Sequence, residues 1–155
     1  MATSGTYSQL YIQTVFAVKY RAFLVKPEWR ERLHQYITGI IQERGNKLLS
    51  IYAMPDHIHI FFGLRPSQCI ADLMRDVKAF SSKWINDQRF LTTRFEWQNG
   101  YGAFSYSRQQ ISQLITYIEG QELHHWKISF RDEFRQVLKE FDIAYDEKYI
   151  FHELN

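Results

Sequence analysis

Three residues, Met54-Pro55-Asp56, separate two runs with strand-like character, 47–53 and 57–64. So short a connection implies that the two runs pair as an antiparallel hairpin. Around this hairpin the rest of the chain falls into order. The run 9–19 alternates, with Leu10, Ile12, Thr14, Phe16 and Val18 on one face and Tyr11, Gln13, Val15 and Ala17 on the other. This predicts a strand with one well-buried side. Pro27 opens a helix at a position that tolerates its missing N–H. Trp29, Leu33, Tyr36, Ile37, Ile40 and Ile41 recur at helical spacing, and Gly45 suits the helix exit.

After the hairpin, Ser67 is placed to cap a second helix running to about Asn86, with Ile70, Leu73, Met74, Val77, Phe80 and Trp84 on its apolar face. A loop-rich segment over 87–102 precedes a fourth strand over 103–107. A third helix is expected over 108–121, with Ile111, Leu114, Ile115 and Ile118 as its buried stripe. Phe130, Phe134, Val137, Leu138 and Phe141 suggest a fourth helix. The tail from Asp142 still carries Tyr145, Tyr149, Ile150 and Phe151, so packing is expected there too. The first five or six residues carry no such pattern and are expected to be disordered.

The order β-α-β-β-α-β followed by helices is the split βαβ, ferredoxin-like arrangement of the α+β class. It places the first and third strands at the centre of an antiparallel four-stranded sheet, with two helices on one face. The other face is left for a ligand, another subunit or the third helix.

With 155 residues the chain is expected to form one domain. The 12 Phe, 10 Tyr and 4 Trp supply core, and any that stay exposed can stack on unpaired bases. The formal charge is only +2, so a nucleic-acid surface has to be a local patch. A single cysteine, Cys69, excludes an internal disulfide framework and a cysteine-type zinc site, and its place early in a helix suggests a small packing residue. The N-terminal residues show no signal-peptide pattern, and no run approaches the roughly 18 apolar residues of a membrane span. A soluble, cytoplasmic protein is the expectation.

Within the third strand lies His57-Ile58-His59. Residues i and i+2 of a strand share a face, so both imidazoles project together while Ile58 and Ile60 project oppositely. Two neutral imidazoles side by side make a divalent-metal site with positions left for substrate. The alternative is a half-buried strand whose polar face carries histidine twice. Asp56, just before the pair, either orients an imidazole or merely serves the turn. On the third helix Tyr117 and Gln121 lie one turn apart on one side, extended by Gln113. Alone, this is equally an ordinary solvated edge. Glu119 points away from Tyr117. His34 and His152 have no evident partners, and His124-His125 fit a helix end favoured by the macrodipole.

The ordered set is more specific than its parts. His57-Ile58-His59 on such a strand, followed far downstream by Tyr117-x-x-x-Gln121, resembles the HUH superfamily of single-strand DNA nucleases. Within it, the chain is similar to the single-tyrosine, IS200-like transposases of minimal bacterial insertion sequences. The stretches 54–59, 97–105 and 117–125 carry the resemblance, which spans about 11–141. It implies that His57 and His59 are metal ligands for Mg²⁺ or Mn²⁺, that Gln121 supplies a third ligand through its amide oxygen, and that Tyr117 is the nucleophile. It implies further that single-stranded DNA is cut at hairpin-bearing ends through a 5′-phosphotyrosine intermediate. The retained ester would let the ends be rejoined without ATP, and the chain has no Walker-type loop. The family also implies a homodimer in which the tyrosine helix of one subunit completes the histidine site of the other. The two glycines of 99–107 would be a hinge for this. A domesticated nuclease acting on chromosomal repeats, or a non-catalytic single-strand binding module, are the alternatives.

Arg75, Lys78 and Ser82 fall at i, i+3 and i+7 and form a candidate phosphate-binding stripe, with Lys83 nearby. Arg108, Arg21 and Lys26 add to it, and Tyr101, Phe104 and Tyr106 are candidates for base stacking. A charged helix face and aromatic core explain the same residues without DNA.

Overall fold

The computed structural model describes residues 5–125 and 128–145, without the side chains of 124 and 125. His124, His125, His152, the tail aromatics beyond Tyr145 and the first four residues therefore lie outside the described side chains. The strands are β1 (Tyr11–Ala17), β2 (Lys47–Ala53), β3 (His57–Gly63) and β4 (Gly102–Tyr106). The helices are α1 (Pro27–Glu43), α2 (Ile70–Gln88), α3 (Ile111–Glu119), α4 (Gln121–His125) and α5 (Phe130–Glu140).

All strand pairs are antiparallel, in the order β2-β3-β1-β4, so the hairpin forms and the first and third strands are central. This is the α+β, ferredoxin-like arrangement. Helices α1 and α2 cover one face. Phe16, Ile58, Ile60 and Phe62 from the sheet meet Leu33, Ile37 and Ile41 of α1 and Leu73, Met74 and Val77 of α2 in one buried cluster. Gly45 leaves α1 at φ +84°. Its N–H bonds Gln42 O at 3.1 Å and the next N–H bonds Ile41 O at 3.3 Å, a double closure that only a residue at ease with positive φ completes without strain.

The opposite face is also covered. Helix α3 sets Leu114 and Ile118 on Phe61, and α5 sets Phe130 and Leu138 on Val15, Ala17 and Phe104. Hence β1 is buried on both sides from Gln13 to Ala17, not on one as its alternation suggests. A strand between two packed layers loses its exposed face whatever its pattern.

Several boundaries differ from expectation. Ser67 does not cap α2; its hydroxyl is taken by Arg65, and the helix starts after Cys69, which has extended dihedrals. Cys69 is exposed, so it is not a packing residue. Phe80 is also exposed, at the edge of the apolar stripe. The third helix is interrupted: a 3₁₀ turn over Arg108–Gln110 precedes α3, and Gly120 separates α3 from α4. His34 does have partners, since its Nε2 accepts the Ala53 N–H at 2.9 Å and its Nδ1 lies 3.3 Å from Glu31. Burial lowers its pKa. The proposed hinge is mostly strand: Gly102 begins β4, and a Cβ there would fall 2.8–2.9 Å from the Phe134 and Phe104 rings. No described helix is long and apolar enough to cross a membrane.

Candidate active site

The register of the sheet sets the site. His57 and His59 lie opposite Ala17 and Val15 of β1, and His59 lies opposite Tyr52 of β2. Small partners on β1 leave room above the strands for two rings, whose centroids are 5.1 Å apart. Ile58 and Ile60 go into the core beneath α1 and α2, as the alternation requires.

Each histidine is held by its Nδ1. That of His57 is 2.7 Å from Asp56 Oδ1, and that of His59 is 2.8 Å from Gln13 Oε1. Gln13 is oriented in turn by its own donation from Nε2 to the Tyr106 hydroxyl, at 2.8 Å. Its oxygen therefore faces His59. Both Nδ1–H groups donate, so in the neutral ring of each histidine the lone pair lies on Nε2. Asp56 thus orients an imidazole, while its backbone oxygen also serves the turn by accepting from Val18 N at 2.8 Å. Arg21 lies 3.6 Å from the other Asp56 oxygen. Burial drives the His57 pKa down to about 4, against the pull of Asp56, so the ring is neutral at neutral pH.

The two Nε2 atoms converge on Glu133 of α5. Its Oε1 is 3.2 Å from His59 Nε2 and 3.8 Å from His57 Nε2, and its Oε2 accepts from the Tyr117 hydroxyl. One chain supplies all of these groups. His57, His59 and Glu133 are 1–3 % exposed, with ligand atoms within 4.8 Å of one another. A carboxylate oxygen and two imidazole lone pairs are all acceptors, and burying them face to face is costly unless a proton or a cation lies among them. Two neutral imidazoles and a carboxylate are a donor set suited to a divalent ion, so these three residues can hold one.

Tyr117 enters from α3, its ring perpendicular to that of His59 at 6.0 Å between centroids. Burial and the adjacent Glu133 carboxylate push its pKa above the usual phenol range. Gln121 is fully buried at the start of α4, and its Nε2 donates to Tyr117 O at 3.4 Å. Helix α5 closes the site. Ser129 caps it by accepting Asp132 N–H at 3.2 Å, and its first residue, Phe130, stacks on His57 at 4.0 Å with 12° between planes.

Neither Glu133 nor Gln13 is among the site residues that the sequence suggests. Each left a trace there. Gln13 is polar within a strand otherwise suited to burial, and Glu133 falls on the apolar stripe of its own helix, between Phe130 and Val137.

The candidate DNA-contact residues lie elsewhere. Arg75 pairs with exposed Asp72 and half-buried Asp76, and Lys83 with Asp87, an exposed pair. Ser82 bonds Ala79 O at 3.1 Å. Lys78 donates to Gln98 O at 2.6 Å and Gly100 O at 2.7 Å, tying α2 to the segment before β4, and burial lowers its pKa to about 8. Lys78 and Ser82 line a cleft of about 310 Å³ together with Lys19 and Arg94. Arg108 and Tyr101 are exposed, and neither joins the histidine site.

Residues 6–121 match the model of the family described as transposase, IS200-like. The ISDra2 transposase TnpA of Deinococcus radiodurans is 25% identical over 122 residues, covering 76% of this chain and 87% of that protein. A crystal structure assigned to a transposase from D. radiodurans R1 superposes with a TM-score of 0.63 at 24% identity, covering 78% of this chain and 97% of the other. A REP-associated tyrosine transposase bound to a REP hairpin superposes with a TM-score of 0.58 at 16% identity, covering 94% of this chain and 93% of the other. These last two likenesses concern the fold. A family match over three-quarters of the chain settles the membership: this protein belongs to the IS200-like transposases.

Proposed function

We propose that this transposase cleaves and rejoins single-stranded DNA at hairpin-bearing ends, in a metal-dependent reaction, through a covalent 5′-phosphotyrosine on Tyr117. The observation that carries this reading is the convergence of the Tyr117 hydroxyl and two histidine Nε2 atoms on one buried carboxylate, Glu133. His57 and His59 would hold the ion, Mg²⁺ or Mn²⁺, with Glu133 as an oxygen donor. Gln121, buried beside Tyr117, is the further oxygen donor implied by the family resemblance. A bound divalent ion would neutralise charge developing on the scissile phosphate.

The protein's own groups account for the rest. A buried phenol with a raised pKa is a poor nucleophile unless its proton has somewhere to go. Glu133 Oε2, already hydrogen-bonded to it, takes that proton as the phenolic oxygen attacks phosphorus. The new O–P bond forms as the bond to the 3′ oxygen breaks, and that oxygen leaves as a 3′ hydroxyl after gaining a proton. The reverse step, with another 3′ hydroxyl, joins new ends. Asp56 and Gln13 keep both Nε2 lone pairs directed inward throughout. One chain brings His57, His59, Glu133 and Tyr117 together. A homodimer that exchanges α3 between subunits would rebuild the same constellation, and Arg75, Lys78, Ser82, Lys83, Arg108 and Tyr101 remain the proposed DNA contacts outside it.

The test is incubation of hairpin-bearing single-stranded oligonucleotides with the protein and Mg²⁺. A covalent protein–DNA adduct should form, should fail to form when EDTA is present from the start, and should be lost in Tyr117→Phe. An undiminished adduct in that variant would remove Tyr117 as the nucleophile.

A further inference from the structure

Beside the catalytic cluster lies a cleft that cleavage chemistry alone does not require. It encloses about 320 Å³ between β1, β4, α3 and α5, and Tyr117 and Glu133 form part of its wall. That volume is at the small end for ligand clefts, roughly 300–1,000 Å³, and suits a nucleoside-sized group, not a duplex. The remainder of its polar lining is the amides of Gln13, Gln110, Gln113 and Gln136, the Tyr106 phenol and the Glu140 carboxylate.

The lining chemistry discriminates among the parts of a DNA strand. No lysine or arginine lines the cleft among the described residues, and two carboxylates do. A phosphate would be repelled there, since backbone recognition rests on cations and N–H donors. A neutral nucleobase is not repelled. Amide side chains pair with base edges through one donor and one acceptor at once, and aromatic walls stack on a base face. The Tyr106 phenol accepts from Gln13, and its pKa is pushed up to about 12, chiefly by burial, so it keeps a proton to donate. Glu140 is acceptor-only when ionised, and therefore asks for an N–H donor. Adenine, cytosine and guanine carry an exocyclic amino group that satisfies it, whereas the one N–H of an unpaired thymine, N3–H, is flanked by two carbonyl oxygens that the carboxylate repels.

We propose that this cleft is a pocket for the unpaired base next to the scissile phosphate, selecting a base with an exocyclic amino group over thymine. Gln113 and Gln136 read its edge, Glu140 accepts from the amino group, and the Tyr106 and Tyr117 rings wall it in. The inference rests on Tyr117 being the nucleophile, because only then does the cleft adjoin the cut. Gln113, Gln136 and Glu140 are exposed, so changing them should leave the fold intact.

The test uses a pool of single-stranded oligonucleotides, each with a stable hairpin followed by a randomised segment, incubated with the full-length protein and Mg²⁺. The DNA retained on the protein and the released 3′ ends are sequenced. At one position flanking the cut, thymine should be depleted about tenfold relative to the favoured amino-bearing base. Gln113→Leu and Glu140→Leu, each verified as folded by its melting temperature, should reduce that bias to less than about twofold. Equal use of all four bases at both flanking positions, or a bias unchanged in both variants, overturns the pocket while adduct formation leaves the nucleophile intact. Absence of any adduct from the unsubstituted protein, or its persistence in Tyr117→Phe, overturns the nucleophile and the pocket with it.

Discussion

Tyr117 and Glu133 share one hydrogen bond, and the carboxylate that accepts it turns its other oxygen to His59 Nε2, 3.2 Å away. A single side chain from α5 thus links the phenol to the imidazole pair, across 16 residues in one direction and 74 in the other.

Glu133→Gln should lower the rate of adduct formation by about 100-fold, within the range for a lost general base. It should also weaken Mn²⁺ binding, read separately by calorimetry. Glu133→Asp should recover part of the metal affinity. Unchanged adduct kinetics and unchanged metal affinity in Glu133→Gln would show that the carboxylate takes no part.

The Asp56 carboxylate reaches the histidine site through His57. Asp56→Ala removes the acceptor at 2.7 Å that selects the Nδ1–H tautomer. Metal affinity should fall by roughly 10–100-fold, as for other partners of ligating histidines. Titration of Mn²⁺ into both proteins measures this. An equal affinity would mean that burial alone holds the ring.

Phe130 seals the histidines from above, stacked on His57 at 4.0 Å. Phe130→Ala should cost about 3 kcal/mol of stability, the low end for a buried aromatic, because α5 can partly close the gap. It should also admit reagent to His57, so histidine modification by diethyl pyrocarbonate should speed up with EDTA present. Protection unchanged in the variant would show that other groups close the site.

The protein stripped of divalent ions should lose stability on acidification. His57 has a folded pKa of about 4 against an ordinary 6.5. Between these values the unfolded chain binds a proton that the folded chain refuses, so stability rises with pH across this window and falls as pH drops through it. The full difference is about 3 kcal/mol, reached near pH 4. Urea denaturation at pH 7 and pH 4.5, compared with His57→Gln, isolates the effect. A variant with the same pH slope would exclude His57 as its source.

Gly102 begins β4 with no space for a side chain. Gly102→Ala places a methyl against the Phe104 and Phe134 rings and should cost about 1–3 kcal/mol by thermal melting. A neutral outcome would mean that α5 yields easily at this edge.

Much of this architecture is readable without coordinates. The period of two in His57-Ile58-His59 places both rings on one face, and the three-residue connection before it makes the hairpin. Both follow from local backbone geometry, and both hold in the structure. Asp56 was legible as a neighbour of His57 for the same reason. Tyr117 and Gln121 were legible as a spacing, but Gly120 breaks the helix between them, and no periodicity foretells such a break. Cys69 and Ser67 were misplaced because a helix start depends on which backbone groups the preceding loop has already satisfied.

The amino-acid sequence by itself determined the strands, the order of elements and the paired imidazoles, because each depends on residues within a few positions of one another. Only the tertiary structure decided that α5 lies over the second face of the sheet, with Phe130 on His57 and Glu133 between His59 and Tyr117. That placement is a contest among apolar surfaces far apart in the chain. An apolar stripe on a helix says that it will be buried, but not against what.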